Sequence, residues 1–536
     1  MIHDLHDAPE GTVIEADVCV VGGGAAGITL ALSLGRRGHS VAILESGGLF
    51  YEPESQALYE GDVVGRPYDA LTAVRLRMFG GSTNHWTGWC RPLDPIDFED
   101  RFGAPGGGWP FGADVLAPYW REAQALCQLG PYDYSAGYWS EATGLEGFAP
   151  DAEDLETAIV QISVPTRFGD AHRPALEALG TVRVYLHANV DDLPLVESGR
   201  ALKELPVRTL DGRRHTARAR AYVLATGGLE VPRLLLNAAG RTGEGVGNEH
   251  GLVGRYFMEK PFFEAAEIVP TTDRLPSQLY YGVVSDVPRQ GPASPHGTRV
   301  RGFLRLPDEV QRREGLNNHL FWLERPRAGV ASAPVRRAAK DAYARLRDVD
   351  GLERLDRDVA TVASHLDLLA DKAIEDLRGP DAVGTLTAFS ILEQRPLYWS
   401  RVRLGEERDA LGLRRIALDW AWGAEDKESL RRTLELLGGA LGARGLGRVK
   451  SYLDDDALYL GDPVHISSHH LGATRMSVDP RHGVVTPDAR MHSVDNLWIA
   501  GCSIFPTGGV SNPTFTMVAL TLKLADHLDG VLAEGA

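Results

Sequence analysis

The stretch DVCVVGGGAAG, residues 17–27, indicates the fold class of this chain. A β-branched run leads into a glycine-rich turn, and the apolar segment ITLALSLGRRGHS (28–40) and a second predicted strand, VAIL (41–44), follow it. A strand, a turn of the form G-x-G-x-x-G, a helix and a second strand in this order make a complete βαβ unit of the dinucleotide-binding type. The sequence therefore predicts a nucleotide-binding α/β domain.

Each glycine of the turn has its own task in such a unit. Gly22 allows the tight turn, Gly24 lets backbone N–H groups approach a pyrophosphate, and Gly27 permits close packing of the helix on the strand. The helix N-terminus, at Ala25 and Ala26, adds partial positive charge. All five residues are predicted cofactor contacts.

The acidic residue after the second strand indicates which nucleotide binds. Glu45, followed by Ser46, stands where a carboxylate accepts hydrogen bonds from both ribose hydroxyls of an adenosine and repels a 2′-phosphate. A chance glycine-rich turn is the alternative interpretation, but strand, helix, second strand and acid all stand in register. We therefore expect FAD or NAD, with both residues in contact with it.

A later segment favours FAD. RAYVLATGGLEVPRLLLNAAG (220–240) predicts a buried strand, a glycine turn and a helix that starts with proline, which places Ala225, Thr226 and Gly227 near the same nucleotide. Nicotinamide enzymes with two dinucleotides would need another G-x-G-x-x-G here, and the segment has none. One nucleotide held by distant segments indicates FAD.

Composition and charge narrow the function classes. A chain of 536 residues with 43% hydrophobic side chains can bury a large core, which excludes disorder and fibres. A net charge of −17 repels phosphate backbones and anionic lipid, so we expect neither nucleic acid nor membrane as a partner. Because the sequence has no bilayer-spanning apolar run and starts with an acidic stretch, we expect a cytoplasmic protein. No metal site is predicted, because the cysteines are scattered, at Cys19, Cys90, Cys127 and Cys502.

Two C-terminal segments carry a family resemblance. His469-x-x-Gly472-Ala-Thr-Arg-Met476 resembles the H-x-x-G-T-x-x-M segment of the glucose-methanol-choline (GMC) flavin oxidoreductases, and DNLWIAGCSIFPTGGVSNPTFT (495–516) resembles the end of their catalytic half. The resemblance extends from about residue 15 to the C-terminus. It implies an α/β fold with a Rossmann-like FAD-binding domain of the GMC and p-hydroxybenzoate hydroxylase-like type. It also implies an α+β substrate domain built on an antiparallel sheet.

The second catalytic position indicates a branch of that family. Asn512 stands in an N-P-T context rather than as a second histidine, which is similar to pyranose oxidase and to bacterial sugar or glycoside oxidoreductases. The resemblance implies a His469/Asn512 pair facing the flavin. His470 is the rival histidine, and the spacing to Gly472 favours His469. Further cofactor contacts are implied in the same segment, at Gly501, Cys502, Asn512, Pro513 and Thr514.

The chemistry of alcohol oxidation needs these two side-chain types. A base with a pKa near the working pH removes the hydroxyl proton while hydride leaves the same carbon for flavin N5, and an amide orients the oxygen. Asn512 and Pro513 also predict a helix over 513–528, so capping alone is an alternative role for the asparagine. The positive end of that helix would stabilise charge developing on the flavin.

The stretch FGGSTNHWTGWCRPLDP (79–95) is predicted to pass along the flavin or its pyrophosphate, with Gly80, Gly81 and Ser82 as contacts. In pyranose oxidase and choline oxidase relatives, a histidine at this spacing bonds the flavin 8α-methyl carbon, so His85 is similar to the attachment residue.

The surroundings of this histidine leave its role open. Asn84 stands where pyranose oxidases have threonine, and Trp86 follows the histidine; both are predicted contacts. A covalent link, a non-covalent contact and a structural histidine remain alternatives for His85. Val190, in a segment that resembles the one whose valine backbone contacts adenine, is a further predicted contact.

The middle of the chain is predicted to be an antiparallel sheet over the flavin. Strand-like pieces are RVRGFLRL, NHLFWLERP, GTLTAFSILEQ, SRVRLGEE and RIALDWAW, and one amphipathic helix is predicted over 423–445. We expect two interleaved domains: an FAD-binding domain over 1–254 and 464–536, and a substrate domain over 255–463, to which parts of 50–180 contribute. Two amphipathic helices in 331–378 are predicted to pack on the domain or on another subunit, so an oligomer is open.

The predicted function is FAD-dependent oxidation of an alcohol, in a sugar, glycoside or polyol, to a carbonyl, with O2 or a quinone-like acceptor reoxidising the flavin. Alternatives are a non-redox flavin-containing lyase on the same scaffold, a non-sugar alcohol of secondary metabolism as donor, and a binding protein with an idle nucleotide site. The His469/Asn512 pair argues against the last. Tyr398 and Trp399 are predicted either to stack on a sugar ring or to fill the core.

Overall fold

The computed structural model describes residues 1–147, 152–164, 166–272, 278–281, 284–287, 297–324, 385–453, 457, 460 and 464–534. The strands are β1 (Ile2–Asp4), β2 (Val13–Val21), β3 (Val41–Leu44), β4 (Gly61–Val63), β5 (Trp89–Cys90), β6 (Glu156–Ile162), β7 (Val182–Leu186), β8 (Asn189–Val190), β9 (Leu205–Arg208), β10 (Arg214–Leu224), β11 (Phe262–Pro270), β12 (Val284–Val287), β13 (Thr298–Arg305), β14 (His319–Glu324), β15 (Leu386–Leu392), β16 (Arg401–Arg408), β17 (Arg414–Asp419), β18 (Gly447–Ser451) and β19 (Leu497–Ile499).

The helices lie between groups of these strands. They are α1 (Ala25–Arg36), α2 (Pro53–Ala57), α3 (Trp120–Leu126), α4 (Ala136–Thr143), α5 (Phe168–Ala178), α6 (Glu230–Asn237), α7 (Gln278–Tyr281), α8 (Asp308–Glu314), α9 (Ala424–Ala443) and α10 (Pro513–Glu534). Short 3₁₀ helices cover Gly81–Asn84, Pro95–Phe98, Ala113–Tyr119 and Cys502–Ile504. Within the described ranges, no helix is both long enough and apolar enough to cross a membrane.

The first sheet has the order β1-β7-β3-β2-β10-β9-β8, with β19 also paired to β10. Strands β1, β7, β3, β2, β10 and β19 pair in parallel, whereas β9 and β8 form the antiparallel edge. The predicted βαβ unit is confirmed, because β2 leads into α1, which begins at Ala25, and β3 follows. All strands of this first sheet come from 1–254 and 464–536.

The carboxyl ends of four parallel strands of this sheet meet in register. Val21 at the end of β2 pairs with Leu44 at the end of β3 and with Leu224 at the end of β10, and Leu224 pairs with Ile499 at the end of β19. The residues that follow each strand therefore share one edge of the sheet. Ligands of open α/β sheets bind outside this edge.

The second sheet is antiparallel, in the order β18-β11-β15-β14-β13-β6-β5, with β12 paired to β13. The predicted strands around 299–306, 318–326 and 384–394 are confirmed as β13, β14 and β15, and the predicted helix over 423–445 as α9. Strands β5 and β6 come from the 50–180 part of the chain.

Two predicted strands belong to a different sheet from the one expected. SRVRLGEE and RIALDWAW do form β16 and β17, but these pair with β4 as a separate three-stranded sheet. Glycine at position 61 permits this, because a Cβ there would lie 2.5 Å from the carbonyl oxygen of Ile416. The predicted helices in 331–378 lie outside the described residues, and the domain boundaries stay a prediction.

A buried charge network ties the third sheet to the first. Arg233 on α6 donates to Glu230 at 2.6 Å and to Asp409 at 2.5 Å, and Arg75 and Arg77 donate to Glu230 at 3.1 and 3.3 Å. Burial opposes the charge of Glu230, but the three arginines outweigh it and lower the pKa of Glu230 to about 2. The network fixes the 75–77 segment along the edge where the four strands end.

Candidate active site

A cavity of about 420 Å³ opens at the carboxyl edge of the first sheet. It brings together distant parts of the chain: the turn after β2, residues 44–46 at the end of β3, the 73–87 segment, residues 188–190, the turn after β10, and the C-terminal segments around 467–470 and 500–517. The predicted residues that line it are Gly22, Gly24, Ala25, Ala26, Glu45, Ser46, Gly81, Ser82, His85, Trp86, Val190, Ala225, Thr226, Gly227, His469, Gly501, Cys502, Asn512, Pro513 and Thr514.

The glycines of the first turn act through close backbone approaches. A Cβ on Gly22 (φ +110°) would lie 2.6 Å from the Ala225 carbonyl oxygen, so only glycine lets the two turns touch. A Cβ on Gly27 would lie 2.0 Å from the Gly22 carbonyl oxygen. Gly27 therefore serves the packing of α1 and does not line the cavity.

Gly24 leaves space rather than filling it. A Cβ on this residue would meet only the Cα of Gly81, at 4.0 Å, across the cavity, and its φ of −81° is available to any residue. Gly24 is also the residue before the first turn of α1. Backbone N–H groups at a helix N-terminus with this much open space suit an anionic pyrophosphate.

Glu45 is buried at the adenosine end that the sequence predicts. Its carboxylate accepts hydrogen bonds from the backbone N–H groups of Gly23 and Gly47, both at 2.8 Å. Burial raises the pKa of Glu45, while the two N–H groups and the charge of Arg77 oppose that shift. The side chain braces the turn as well as facing the cavity.

The 79–87 segment covers one side of the cavity. Two of its predicted contacts, Gly80 and Asn84, do not line the cavity and instead shape the segment. The Gly80 N–H donates to the Gly23 carbonyl at 2.8 Å, and the Asn84 amide donates to the carbonyls of Phe79 and Gly81 at 2.9 and 3.0 Å. His85 is exposed on the cavity wall.

Both histidines of the pair line the cavity, in different surroundings. Burial lowers the pKa of His470 to about 3, with a smaller contribution from the charge of Arg75, and the ring stacks on Phe257. Burial also lowers the pKa of His469 well below its ordinary 6.5, and here the added charge is that of Lys260. The two rings thus face different ends of the site.

Asn512 shares the environment of His469. The Lys260 ammonium donates a hydrogen bond to the carbonyl of Ser511, the residue before Asn512. The half-buried Asn512 side chain lines the cavity and makes no hydrogen bond to the part of the chain that the structure describes. α10 begins at Pro513, as predicted, and the free amide of Asn512 is available to a ligand.

Several buried polar atoms in the cavity wall have no partner among the described residues. They are Thr226 Oγ1, Arg77 Nε, His469 Nδ1 and His470 Nε2. Buried polar atoms are normally satisfied, so these atoms indicate a polar ligand that completes the site. Together with the glycine turn and Glu45, the residues present fit FAD.

Glu259 and Lys260 are fully buried beside the cavity, and no sequence motif predicts them as site residues. Glu259 accepts hydrogen bonds from the backbone N–H of His469 at 2.8 Å and from the hydroxyl of Tyr68 at 2.6 Å. The only signal in the sequence is an acid–base pair inside the apolar run YFMEKPFF (256–263).

Tyr398 and Trp399 do not fill the core, and their stacking on a sugar ring stays a prediction. Their side chains are 45% and 59% exposed, and neither lines the cavity. The Arg255 guanidinium lies 4.3 Å from the ring of Tyr398, so this tyrosine is part of a surface contact.

A histidine–carboxylate cluster lies behind the Val190 end of the cavity. One ligand atom each from Asp4, His6 and His187 lie within 4.8 Å of one another. Both ring nitrogens of His187 are already hydrogen-bonded to carboxylates, Asp4 at 2.8 Å and Glu52 at 2.9 Å. Burial opposes the charged ring, but these two partners outweigh it and raise the pKa of His187. Both ring nitrogens are therefore engaged in hydrogen bonds to carboxylates, and His187 has a structural role.

Comparisons with known proteins agree with this geometry. Residues 17–281 match the model of the FAD dependent oxidoreductase family, and residues 396–521 match that of the GMC oxidoreductases. The chain is similar to 2-methyl-1,2-propanediol dehydrogenase of Mycolicibacterium austroafricanum, with 24% identity over 96% of this chain and 95% of the relative. It is also similar to the fructose dehydrogenase large subunit of Gluconobacter japonicus, with 22% identity over 97% of this chain and 99% of the relative.

A solved structure has the same fold. Pyridoxine 4-oxidase from Mesorbium loti superposes with a TM-score of 0.57 at 19% identity, over 96% of this chain and 99% of that one. The chain thus combines an FAD-dependent oxidoreductase domain with a C-terminal GMC oxidoreductase domain. It is an FAD-dependent enzyme that acts on alcohols.

Gly24→Ala tests the assignment of the cavity. The added methyl group meets no protein atom closer than 4.0 Å but occupies the space in which the backbone approaches the pyrophosphate. We expect FAD affinity to fall by roughly tenfold or more, measured by fluorescence titration of the FAD-free protein, with an unchanged unfolding midpoint. Gly439→Ala, in α9 with nothing within 4 Å, is the matched control. Wild-type affinity in Gly24→Ala would contradict the assignment.

Proposed function

We propose that this enzyme oxidises a hydroxyl group of a sugar, glycoside or related polyol to a carbonyl, with His469 as the base. The observation that carries the proposal is the unpaired His469 ring beside the free Asn512 amide, both in the wall of the FAD cavity. FAD, when bound, supplies the acceptor for the hydride that leaves the alcohol carbon.

His469 is suited to accept the hydroxyl proton. Its lowered pKa keeps the ring neutral at physiological pH, and the unpartnered Nδ1 leaves the imidazole free of competing hydrogen bonds within the described residues. A neutral imidazole has a free lone pair for the proton, but a pKa this far below the working pH makes it a weaker base than the sequence-based expectation of a pKa near that pH. Glu259 accepts the backbone N–H of His469, and this hydrogen bond fixes the backbone position from which the ring extends.

Asn512 is suited to orient the alcohol. Its amide has a donor and an acceptor, both available to a substrate oxygen in the half-buried cavity wall. α10 follows directly, and the partial positive charge at its N-terminus favours negative charge in the cavity. Orientation and electrostatic stabilisation thus come from adjacent residues.

The donor class rests on the branch of the family and on the relatives. The N-P-T context of Asn512 resembles sugar oxidoreductases, and one relative is named for fructose. A second relative is named for a small diol, so a non-sugar alcohol is the second candidate. The acidic chain, with its net charge of −17, favours a neutral donor over an anionic one.

The acceptor is part of the same proposal, and O2 or a quinone-like compound would reoxidise the flavin. We also propose a cytoplasmic location, which the free thiols of the four cysteines support.

Anaerobic titration of the FAD-loaded protein tests the function. Pyranoses, glycosides, simple diols and aromatic alcohols are added in turn while flavin absorbance is recorded, and then O2 or a quinone dye is admitted. We expect bleaching with at least one sugar or glycoside and recovery with an acceptor. Bleaching with diols or aromatic alcohols alone would contradict the donor class. Conversion of substrate without any bleaching would show the lyase alternative.

His469→Ala tests the base. We expect the rate of flavin reduction to fall by roughly 10²- to 10⁴-fold with FAD still bound, because general-base loss has this effect. Stopped-flow absorbance measures it. His172→Ala, a partly buried histidine outside the cavity that contacts the Leu126 carbonyl, is the control. A near-normal rate in His469→Ala together with loss in His470→Ala would transfer the role to His470.

His85 is proposed to contact the flavin. Its position on the cavity wall supports this, as does a pKa lowered by partial burial and by Arg167, which keeps its ring neutral. We expect His85→Ala to lose FAD more readily in gel filtration than wild type. Acid precipitation of wild type separates the two modes of contact: colour in the pellet shows a covalent bond, and colour in the supernatant a non-covalent one. Equal FAD retention in both proteins would leave a structural histidine.

A further inference from the structure

Two adjacent residues, Glu259 and Lys260, each hold one member of the proposed catalytic pair. The Glu259 carboxylate accepts the backbone N–H of His469 through both oxygens, at 2.8 and 3.1 Å. The Lys260 ammonium donates to the carbonyl of Ser511, directly before Asn512. A fixed two-residue segment therefore spans the pair.

This segment is itself held in place by the fold. Met258 and Leu471 exchange two backbone hydrogen bonds at 3.0 and 3.1 Å, and Phe262 and His465 exchange two more at 2.9 Å. Between these bridges the two chain segments run antiparallel, and Ser467 adds a bond from its hydroxyl to the Lys260 carbonyl at 2.5 Å. The segment cannot move without moving the loop that carries His469.

The loop before Asn512 has further anchors. The N–H of Gly509 donates to Glu393 at 3.0 Å, the Thr507 hydroxyl donates to the Asp97 carbonyl at 2.7 Å, and the Ser511 hydroxyl donates to the Pro92 carbonyl at 3.1 Å. None of these anchors carries a positive charge. Lys260 is thus the cation that couples this loop to the histidine.

A fully buried ammonium is costly unless charges compensate for it. The titratable groups around Lys260 are Glu259, Asp97, Glu393, Cys502 and His469, and those around His469 are Lys260, His470 and Glu259, whose carboxylate accepts the His469 backbone N–H. Burial lowers the pKa of Lys260 to about 8, while the carboxylates oppose that shift, so the ammonium stays charged below this pH. A methionine of similar length would avoid the cost, which argues for a role of the charge.

We propose that Glu259 and Lys260 form a clamp that fixes the spacing of His469 and Asn512. Both are positioning residues, since they act through the pair. The inference rests on the proposed function, because it presupposes His469 as the base. It adds the device that places the base, and the Lys260 charge adds to the effect of burial on the His469 ring.

Lys260→Gln and Lys260→Met separate the charge from the hydrogen bond. Glutamine still donates to Ser511 without charge, and methionine does neither. In both variants we expect the acid limb of the pH profile of flavin reduction to move to higher pH, because loss of a neighbouring positive charge favours the protonated imidazole. In Lys260→Met we also expect the maximal rate to fall by about ten- to a hundredfold through misplacement of the pair. Lys260→Arg should keep the acid limb of the wild type.

A second readout does not depend on turnover. In protein labelled with ¹³C-histidine, the resonance that disappears in His469→Ala is titrated with and without FAD. We expect its midpoint to lie at higher pH in Lys260→Gln than in wild type. If Lys260→Met does not fold, Lys260→Gln carries both measurements.

The control is Lys427→Gln. Lys427 is also buried and donates to a backbone carbonyl, that of Ala457, but it lies on α9 away from the pair. Its variant should keep the wild-type profile. An unchanged acid limb, an unchanged His469 titration and an unchanged rate in the Lys260 variants would overturn the inference. If His469→Ala itself reduces flavin normally, the proposed function fails instead, so the two failures are distinguishable.

Discussion

The alignment of four strand ends is the constraint on which the site depends. β2, β3, β10 and β19 end in register at Val21, Leu44, Leu224 and Ile499, although these strands come from both ends of the chain. The residues that follow these strands therefore lie at one edge: the glycine turn, Glu45, the second turn and the segment that begins at Ala500. Because Gly22 lets the first two turns touch, no side chain intervenes between them. The interleaving of the chain is a direct consequence, since both ends must supply strands to one sheet.

The proposed catalytic pair, His469 and Asn512, depends on contacts with the second sheet and the residues next to it. The face of the second sheet that carries Phe303, Trp322 and Ile391 packs against Val510, two residues before Asn512. The Glu259–Lys260 segment directly precedes β11 of this sheet. The first sheet therefore lines the cavity that fits FAD, and residues next to the second sheet contact the segments that carry His469 and Asn512. Burial lowers the pKa values of both histidines, so the site favours neutral imidazole as the resting state.

The sequence was informative where local chemistry dictates structure. The βαβ unit, Glu45, the helix start at Pro513 and the strands β13 to β15 follow from glycine spacing, alternation and proline placement. It was uninformative where partners are distant. Glu259 and Lys260 are an ordinary acid–base pair in the sequence, and only the bridges to 465–471 show what they hold. The separate sheet of β16, β17 and β4 depends on a close approach of Gly61 to the Ile416 carbonyl, which no sequence pattern in β16 or β17 predicts. Gly80 and Asn84 were placed in the right segment, but their orientation is set by backbone contacts within it.

A crystal structure of the FAD-loaded protein, reduced and kept anaerobic with a donor that bleaches it, tests the site most directly. We expect the donor hydroxyl oxygen to lie within hydrogen-bond distance of both the His469 ring and the Asn512 amide, with Lys260 still bound to the Ser511 carbonyl. A hydroxyl bound by His470, or by neither member of the pair, would contradict this expectation.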